Sequence, residues 1–284
     1  MTDARPRTPR ERARAEFERD LLAAARRHLA TDGPAQLSLR AIARELGVAS
    51  SAVYRYVESR DALLTALIVE AYDAAGEACE RALDAALARG ASAGDAWLDV
   101  ARAFRAWARA HPHQFSLVYG TPVPGYAAPR ETVGPAVRVW GVVARVLVAG
   151  RAADEVHPPR SLDASGLVEP GVLAVAAAIA RGRTPADAYA TSPSAEVPSG
   201  GDEGPVDAGV LAADVTRSVT LFAALVGAVT AELFGHLHNF VVDLDRVFDV
   251  TTATAAVGVG LDVGLDAGDV AAGGTAPRPA PPAG

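Results

Sequence analysis

The sequence predicts an all-α protein, in which an N-terminal three-helix domain with a helix-turn-helix precedes a larger helical bundle. Alanine is abundant, whereas the strand formers Ile, Phe and Tyr are few, and this composition favours helices. Apolar residues recur at helical spacing along most of the chain. Residues 37–64 contain two short helical patterns separated by a glycine turn, which is the pattern of a helix-turn-helix.

The length and composition indicate a globular protein with room for two functional parts. The chain has 284 residues, of which 50% are hydrophobic and 21% charged. Cys79 is the only cysteine, which excludes an intrachain disulfide and a cysteine zinc site. The charged N-terminus lacks the apolar core of a signal peptide, and the longest apolar run, 219–235, is short of a membrane span and contains Glu232. We therefore expect a cytoplasmic protein without a membrane segment.

The charge is distributed unevenly along the chain. All 27 basic residues are arginines, and residues 1–60 hold 12 of them against 8 acidic residues. The remaining residues hold 15 arginines against 26 acidic residues. A basic N-terminal segment on an acidic body is typical of a DNA-binding head attached to a domain with another role.

The N-terminal part is predicted to begin with a disordered arm, residues 1–12, which carries scattered Arg and Pro residues. The helical spacing of apolar residues then predicts a helix over 13–30, which Gly33 and Pro34 end. The next helices are predicted over 39–45, 50–56 and 60–89, and the last is either continuous or interrupted near Gly76.

The C-terminal part alternates helical patterns with loops. Helices are predicted over 94–110, 131–150 and 170–181, with a helix or helix pair over 211–248. Loops are predicted over 120–129, 151–169 and 191–209, the last an acidic segment that we expect to be mobile. The expected domains are a disordered arm (1–12), a helix-turn-helix domain (13–74), a C-terminal helical domain (75–260) and a disordered tail (261–284).

The helix-turn-helix is specified by caps and by one turn residue. Ser38 is a good N-cap for a short helix, since its hydroxyl can accept from a free backbone N–H. Gly47 follows that helix, where a left-handed residue ends a helix without a steric penalty. The second helix has Val53 and Val57 facing inward, and Ser59 caps the next helix.

The outward face of this segment suits the phosphate backbone of DNA. Ser51, Tyr54 and Arg55 share one face of the second helix, because they lie three and four residues apart. Hydroxyl and guanidinium groups donate hydrogen bonds to phosphate oxygens, while the second helix of such a motif fits the major groove. Arg40 and Arg60 begin neighbouring helices and lie in similar reach. A plain helical hairpin with a solvated face is the alternative, but it would not require caps, glycine and tyrosine at these spacings.

The helix-turn-helix segment, together with the helix that precedes it, resembles the N-terminal domain of the TetR family of bacterial transcriptional regulators. The resemblance covers residues 13–70 and is carried by LSLRAIARELGVASSAVYRYV and SRDALLTAL. It implies an all-helical homodimer whose C-terminal domain dimerises and binds a small-molecule effector. It also implies that seven positions contact double-stranded operator DNA: Ser38, Arg40, Ser50, Ser51, Tyr54, Tyr56 and Arg60. The sequence departs from the family at Ser51, where Gly or Pro is frequent, and at Ala52, where Thr is common.

The C-terminal part is similar to the WHG-type domain of some TetR-like regulators. The similarity is carried by HPHQFSLVYGTPVPGYAAPRETVGPAVRVW and ELFGHLHNFVVD, while LFAALVG at 221–227 stands where the Trp-and-His element belongs. The resemblance implies a ligand pocket between helices, where such pockets usually lie in bundles. The candidate lining residues are Trp107, Tyr119, Trp140 and Phe222, although aromatic residues also fill a core. The family's commonest behaviour is repression relieved by the effector, and activation is the alternative.

No motif predicts catalysis, a cofactor or a metal. Glu232 and His236 share a helical face, but His238 does not, and a carboxylate bundle needs Glu and His three residues apart in two copies. His111 and His113 flank a proline at a helix end. The function that we expect is therefore a ligand-responsive repressor. The alternatives are a helical-bundle enzyme, or a ligand-binding protein whose head does not read DNA.

Overall fold

The computed structural model describes residues 8–158, 164, 166–183 and 208–264. These residues form helices and connecting turns and contain no β-strand, which confirms the all-α prediction. The one β-type contact in this part of the chain is an isolated bridge between Val156 and Leu261. The helices are α1 (Pro9–Asp32), α2 (Leu39–Glu45), α3 (Ser50–Val53), α4 (Arg60–Ala88), α5 (Ala93–Ala110), α6 (Pro112–Tyr119), α7 (Val133–Ala136), α8 (Arg138–Ala152), α9 (Pro170–Ala180), α10 (Ala208–Leu233) and α11 (Leu244–Val259).

Helix α1 begins earlier than the sequence predicted. Thr8 and Glu11 form a capping box, in which the Glu11 N–H donates to Thr8 Oγ1 at 3.3 Å and the Thr8 N–H donates to Glu11 Oε2 at 2.7 Å. Pro9 occupies the first helical position, where its missing N–H costs nothing. The prediction of disorder is thus wrong for residues 9–12, while residues 1–7 of the arm lie outside the described residues.

Helix α4 belongs to both parts of the protein. Its first turns bury Leu63, Leu64 and Leu67 in the core of the head, which α1, α2 and α3 complete. Its later turns bury residues from Ala71 to Ala86 in the core of the C-terminal bundle, together with α5, α8, α10 and α11. One continuous helix therefore packs in the cores of both the head and the bundle.

Gly76 does not interrupt α4, although the sequence left that open. A Cβ at Gly76 would lie 2.8 Å from Cβ of Arg138, so the glycine permits a close approach of α8. The Arg138 guanidinium then binds both Glu80, at 3.1 and 2.6 Å, and Asp73, at 2.7 Å. These hydrogen bonds raise the pKa of Arg138, and those that it donates to Glu80 have the largest effect, although burial opposes the shift.

The C-terminal bundle is held by long-range polar contacts as well as by its core. The indole N–H of Trp97 in α5 donates to the Thr252 carbonyl of α11 at 2.9 Å. Arg105 of α5 lies 2.6 and 2.9 Å from the two carboxylate oxygens of Glu232 in α10. It also lies 2.6 Å from Asp245 at the start of α11. One arginine thus joins three helices at their junction.

Several predicted boundaries in the C-terminal part need correction. The sequence missed α6, because the His111–Pro112 step was taken as the end of a helix, whereas Pro112 is the first residue of a new one. The helix or helix pair predicted over 211–248 is the pair α10 and α11. The second of these helices extends to Val259, beyond the predicted end. Leu261, at the start of the predicted disordered tail, is buried. The acidic loop up to 207 and the tail from 265 lie outside the described residues.

Two helical segments, Arg130–Ala152 and Gly209–Leu233, have the length and apolar composition of a membrane span. Core helices of soluble proteins meet the same criterion, and both segments bury one face within the bundle. An ion pair also joins the two segments, since Arg151 of α8 lies 2.6 Å from Asp214 of α10. Within the predicted buried helix at 219–235, α10 buries Leu221, Leu225 and Val229 and leaves its opposite face exposed, so the helix is buried on one side only.

Candidate nucleic-acid interface

The local signals that specified the helix-turn-helix act as predicted. The Ser38 hydroxyl accepts from the Ala41 N–H at 3.4 Å and caps α2. Gly47 has φ +67°, the left-handed conformation that the turn requires. The Ser59 hydroxyl accepts from the Ala62 N–H at 3.0 Å and caps α4. The motif is therefore fixed at three points by side-chain caps and one glycine.

Helix α3 is shorter than the predicted 50–56. It runs from Ser50 to Val53 and continues as turns, in which the Tyr54 N–H donates to the Ser50 carbonyl and the Tyr56 N–H to the Val53 carbonyl. Its N-cap is Ala49, which has no side-chain oxygen to bind the first free N–H groups. The tight packing of Val53 in the head core holds this segment in place.

The exposed side of the motif carries half of the eight predicted DNA contacts. Four of the predicted contacts are exposed: Arg40, Ser51, Tyr54 and Arg55. Tyr54 is 48% exposed, although it is an aromatic residue. Within the described residues, the guanidinium groups of Arg40 and Arg55 have no hydrogen-bond or ion-pair partner. Ser38 and Ser50 are half-buried at the starts of their helices. Unpaired guanidinium groups beside an exposed tyrosine hydroxyl form a donor-rich surface of the kind that binds phosphate.

Tyr56 has a different environment from Tyr54. Its ring lies against Phe17 of α1, with ring centroids 4.5 Å apart, and the Arg14 guanidinium carbon lies 5.7 Å from the ring centroid. The side chain is half-buried. Tyr56 therefore ties the end of the recognition segment to α1.

Arg60, one of the predicted DNA contacts, is engaged within the protein. Its guanidinium donates to the Pro34 carbonyl at 2.8 Å and lies 3.1 Å from Asp61. These contacts link the start of α4 to the turn that precedes α2. We interpret Arg60 first as an anchor of that turn.

Arg44 is a candidate that the sequence reasoning missed. It is exposed and unpaired among the described residues, and it lies four residues after Arg40 on the same face of α2. The other arginine nearby, Arg27, donates to Glu45 at 2.6 and 2.8 Å, which lowers the pKa of that carboxyl. The spacing of Arg40 and Arg44 was the signal that could have revealed this pair.

The predicted effector residues fall into two groups. Trp140 and Phe222 line a cavity of about 630 Å³ between α8, α9 and α10. Trp107 and Tyr119 lie instead in the aromatic core around Phe104 and do not line that cavity. Burial raises the pKa of the Tyr119 phenol, and no described residue offers a hydrogen-bond partner to its hydroxyl.

The acidic and histidine residues considered as metal ligands have other partners or lie apart. Glu232 is bound by Arg105, and the described residues contain no group of three or more His, Cys, Asp or Glu that could hold a metal ion. Cys79 is buried, and burial raises the pKa of its thiol to about 12, which keeps the thiol protonated.

Two family models match the chain. Residues 21–67 match the model described as bacterial regulatory proteins, tetR family. Residues 97–255, more than half of the chain, match the model described as tetracyclin repressor-like, C-terminal domain. The first match contains the whole helix-turn-helix, and the second contains the 630 Å³ cavity and α10.

Similar proteins cover the same two parts. The HTH-type transcriptional regulators Rv1816 of Mycobacterium tuberculosis and Mb1846 of Mycobacterium bovis are each 38% identical over 256 residues, which is 86% of this chain and 92% of the relative. The crystal structure of SCO4313, solved as a candidate regulatory protein, has a TM-score of 0.58 at 27% identity and covers 87% of this chain and 98% of its own. A Rhodococcus protein of unknown function shares the fold with a TM-score of 0.58 at 24% identity.

Proposed function

Because this chain belongs to the TetR family of bacterial transcriptional regulators, we propose that it is a homodimeric repressor that a small-molecule effector releases from operator DNA. The observation that carries the proposal is the exposed donor surface of the helix-turn-helix, in which Arg40, Tyr54 and Arg55 are free of protein partners among the described residues. We assign DNA contact to this surface, together with Ser38, Ser50 and Ser51, and we add Arg44. Arg60 and Tyr56 contribute by fixing the motif to its neighbours.

The expected binding site is double-stranded DNA in the cytoplasm. Arginine and hydroxyl contacts to phosphate set the register, while an arginine in the major groove makes the commonest base contact, to guanine. Arg40 is our candidate for that contact, because it extends from the first turn of α2 without an internal partner.

The direct test is a gel shift with the DNA upstream of the chain's own gene, since regulators of this kind often bind near their own genes. We expect the full-length protein to retard that fragment in the presence of excess unrelated DNA, and the affinity to fall steeply as salt rises. Equal binding to the unrelated DNA would leave a head that does not read sequence. An absence of binding at low salt would contradict the proposal.

The proposed dimer forms through α10 and α11, which pack on each other. Between Arg217 and Glu232, α10 has no charged residue, and its outer face exposes Thr220, Ala223 and Gly227. The outer face of α11 adds Val250 and Val257, which are 42% and 55% exposed. A contiguous surface of small and apolar residues suits a twofold interface, in which the same helices meet their copies.

Substitution of Ala223 with Arg is expected to convert the dimer to a monomer and to weaken operator binding at least roughly tenfold, because one head binds without its partner. Sedimentation velocity measures the first effect and fluorescence anisotropy the second. Ala85→Arg is the matched control, since Ala85 is an exposed alanine of α4 outside this surface. A dimeric Ala223→Arg protein would place the interface elsewhere.

The proposed route from effector to DNA runs through α6. Phe222 lines the cavity, and its ring lies edge-on to Tyr119 of α6 with centroids 6.3 Å apart. Two residues earlier, Leu117 is buried in the core of the head, and the Val118 carbonyl accepts from the Tyr72 hydroxyl of α4 at 3.2 Å. An effector that displaces Phe222 would therefore move α6 and α4 together. It lowers DNA affinity only to the extent that it binds the two arrangements unequally.

A further inference from the structure

We propose that the 630 Å³ cavity binds an organic cation with a large apolar or aromatic body, and that Glu169 is its counter-charge. This inference rests on the proposed function, because it names the chemical class of the effector. The cavity lies between α8, α9 and α10 and is bounded by apolar residues and one carboxylate. Its lining residues are Ala136, Val137, Trp140, Glu169, Gly171, Val172, Val175, Val219 and Phe222.

Two aromatic rings line the cavity, and a hydrogen bond holds one of them in place. The indole N–H of Trp140 donates to the Ser218 hydroxyl at 2.9 Å, and that hydroxyl donates to the Val215 carbonyl at 2.6 Å. The hydrogen bond fixes the indole edge toward α10 while the ring still lines the cavity. Phe222, one turn after Ser218 on α10, supplies the second ring. Aromatic rings that line a cavity in this way are the recognition elements of quaternary ammonium and similar cations.

Glu169 has no structural duty that would explain its charge. It precedes the first residue of α9, but its side chain makes no capping hydrogen bond. No described residue forms a hydrogen bond or ion pair with its carboxylate. The carboxylate is exposed, which places the charge at the opening of the cavity and the apolar walls further in. That arrangement matches a ligand whose cationic group remains near water while its body is buried.

The surroundings disfavour an anion. The lining contains no basic residue in the described part of the chain. The nearest arginines along α8 and α10 have carboxylate partners, since Arg138 lies 2.7 Å from Asp73 and 2.6 Å from Glu80, and Arg217 lies 2.8 Å from Asp214. A carboxylate or phosphate in the cavity would face Glu169 without a compensating cation, and like charges repel.

The test uses two probes of the same shape and opposite charge, tetraphenylphosphonium and tetraphenylborate. We expect equilibrium dialysis with the full-length protein to give a dissociation constant for the phosphonium that is at least roughly tenfold lower than for the borate. Glu169→Gln is expected to remove most of that preference. Val172→Trp, which fills the cavity from a partly exposed position, is expected to weaken both probes.

The matched control is Glu77→Gln, which removes the same charge from an exposed position of α4 that does not line the cavity. It should leave the preference for the phosphonium unchanged. The inference is overturned if the borate binds as tightly as the phosphonium, if neither probe binds, or if Glu169→Gln and Glu77→Gln behave alike. Far-UV circular dichroism of each variant establishes that it is folded.

The probe experiment and the gel shift separate the two proposals. If the protein binds its upstream DNA but shows no Glu169-dependent preference for the phosphonium, the ligand class is wrong and the regulator stands. If the preference is present but no DNA binds, the cavity assignment stands and the repressor proposal fails. If both hold, saturating phosphonium is expected to raise the dissociation constant of the DNA complex severalfold, through the contact of Phe222 with Tyr119.

Discussion

Replacing Arg105 with Met is expected to lower the free energy of unfolding by about 3–5 kcal/mol, since the nearly buried Glu232 carboxylate loses its hydrogen-bonded partner and keeps only the more distant Arg109, at 3.7 Å. Arg105 and Glu232 are both nearly buried, with side-chain exposures of 10% and 9%. The Arg105 guanidinium also lies 5.0 Å from the centroid of the Phe248 ring. Although burial opposes it, hydrogen bonding to Glu232 and Asp245 raises the pKa of Arg105, so the guanidinium stays charged. Urea unfolding followed by circular dichroism measures the loss.

Two further variants isolate the cause of that loss. Arg102, on the same helix, makes an equally bidentate contact with Asp249 at 3.0 and 2.8 Å, but its side chain is 45% exposed. Arg102→Met should therefore cost less than about 1 kcal/mol. The double variant Arg105→Met, Glu232→Leu should recover most of the stability, because apolar residues can replace a buried ion pair. Equal losses for Arg105→Met and Arg102→Met would show that the buried pair does not hold the junction.

Replacing Arg40 with Ala is expected to weaken operator binding by roughly tenfold to a hundredfold, because each half-site loses a guanidinium contact. The salt dependence should also become shallower if Arg40 binds phosphate, whereas it should stay the same and the base preference should relax if Arg40 reads guanine. Fluorescence anisotropy over a range of salt concentrations distinguishes these results.

The control for Arg40 is Arg81→Ala, in the C-terminal half of α4, where the side chain pairs with Glu77 on the surface. It removes the same charge from the molecule and leaves the proposed DNA surface intact. If the two variants lose the same affinity, the effect of Arg40 is one of net charge and not of contact.

The helix-turn-helix was predictable because its signals are local. Ser38, Gly47 and Ser59 act within three or four residues of themselves, so the sequence alone sets the caps and the turn. The unpaired state of Arg40 and Arg55 is a property of the folded surface, but their spacing already placed them outward.

The sequence could not supply what depends on distant partners. The hydrogen bond from Arg60 to the Pro34 carbonyl joins residues 26 positions apart, and no local pattern indicates it. The sequence left open whether Gly76 interrupts α4, and the close approach of Arg138 from another helix explains the glycine in a continuous α4. The sequence could not distinguish the cavity-lining residues Trp140 and Phe222 from the core residues Trp107 and Tyr119. All four are aromatic residues of helices, and only packing decides which of them line a cavity.

We propose that residues 38–57 dock in the major groove of operator DNA. The most direct measurement is guanine N7 methylation protection on the fragment that the protein retards, with wild-type protein and with Tyr54→Ala, because N7 lies in the major groove. We predict two protected patches, separated by about one helical turn or a multiple of it, and their loss in the folded Tyr54→Ala protein. Protection that is absent in the wild type, or unchanged in the folded variant, would contradict the claim.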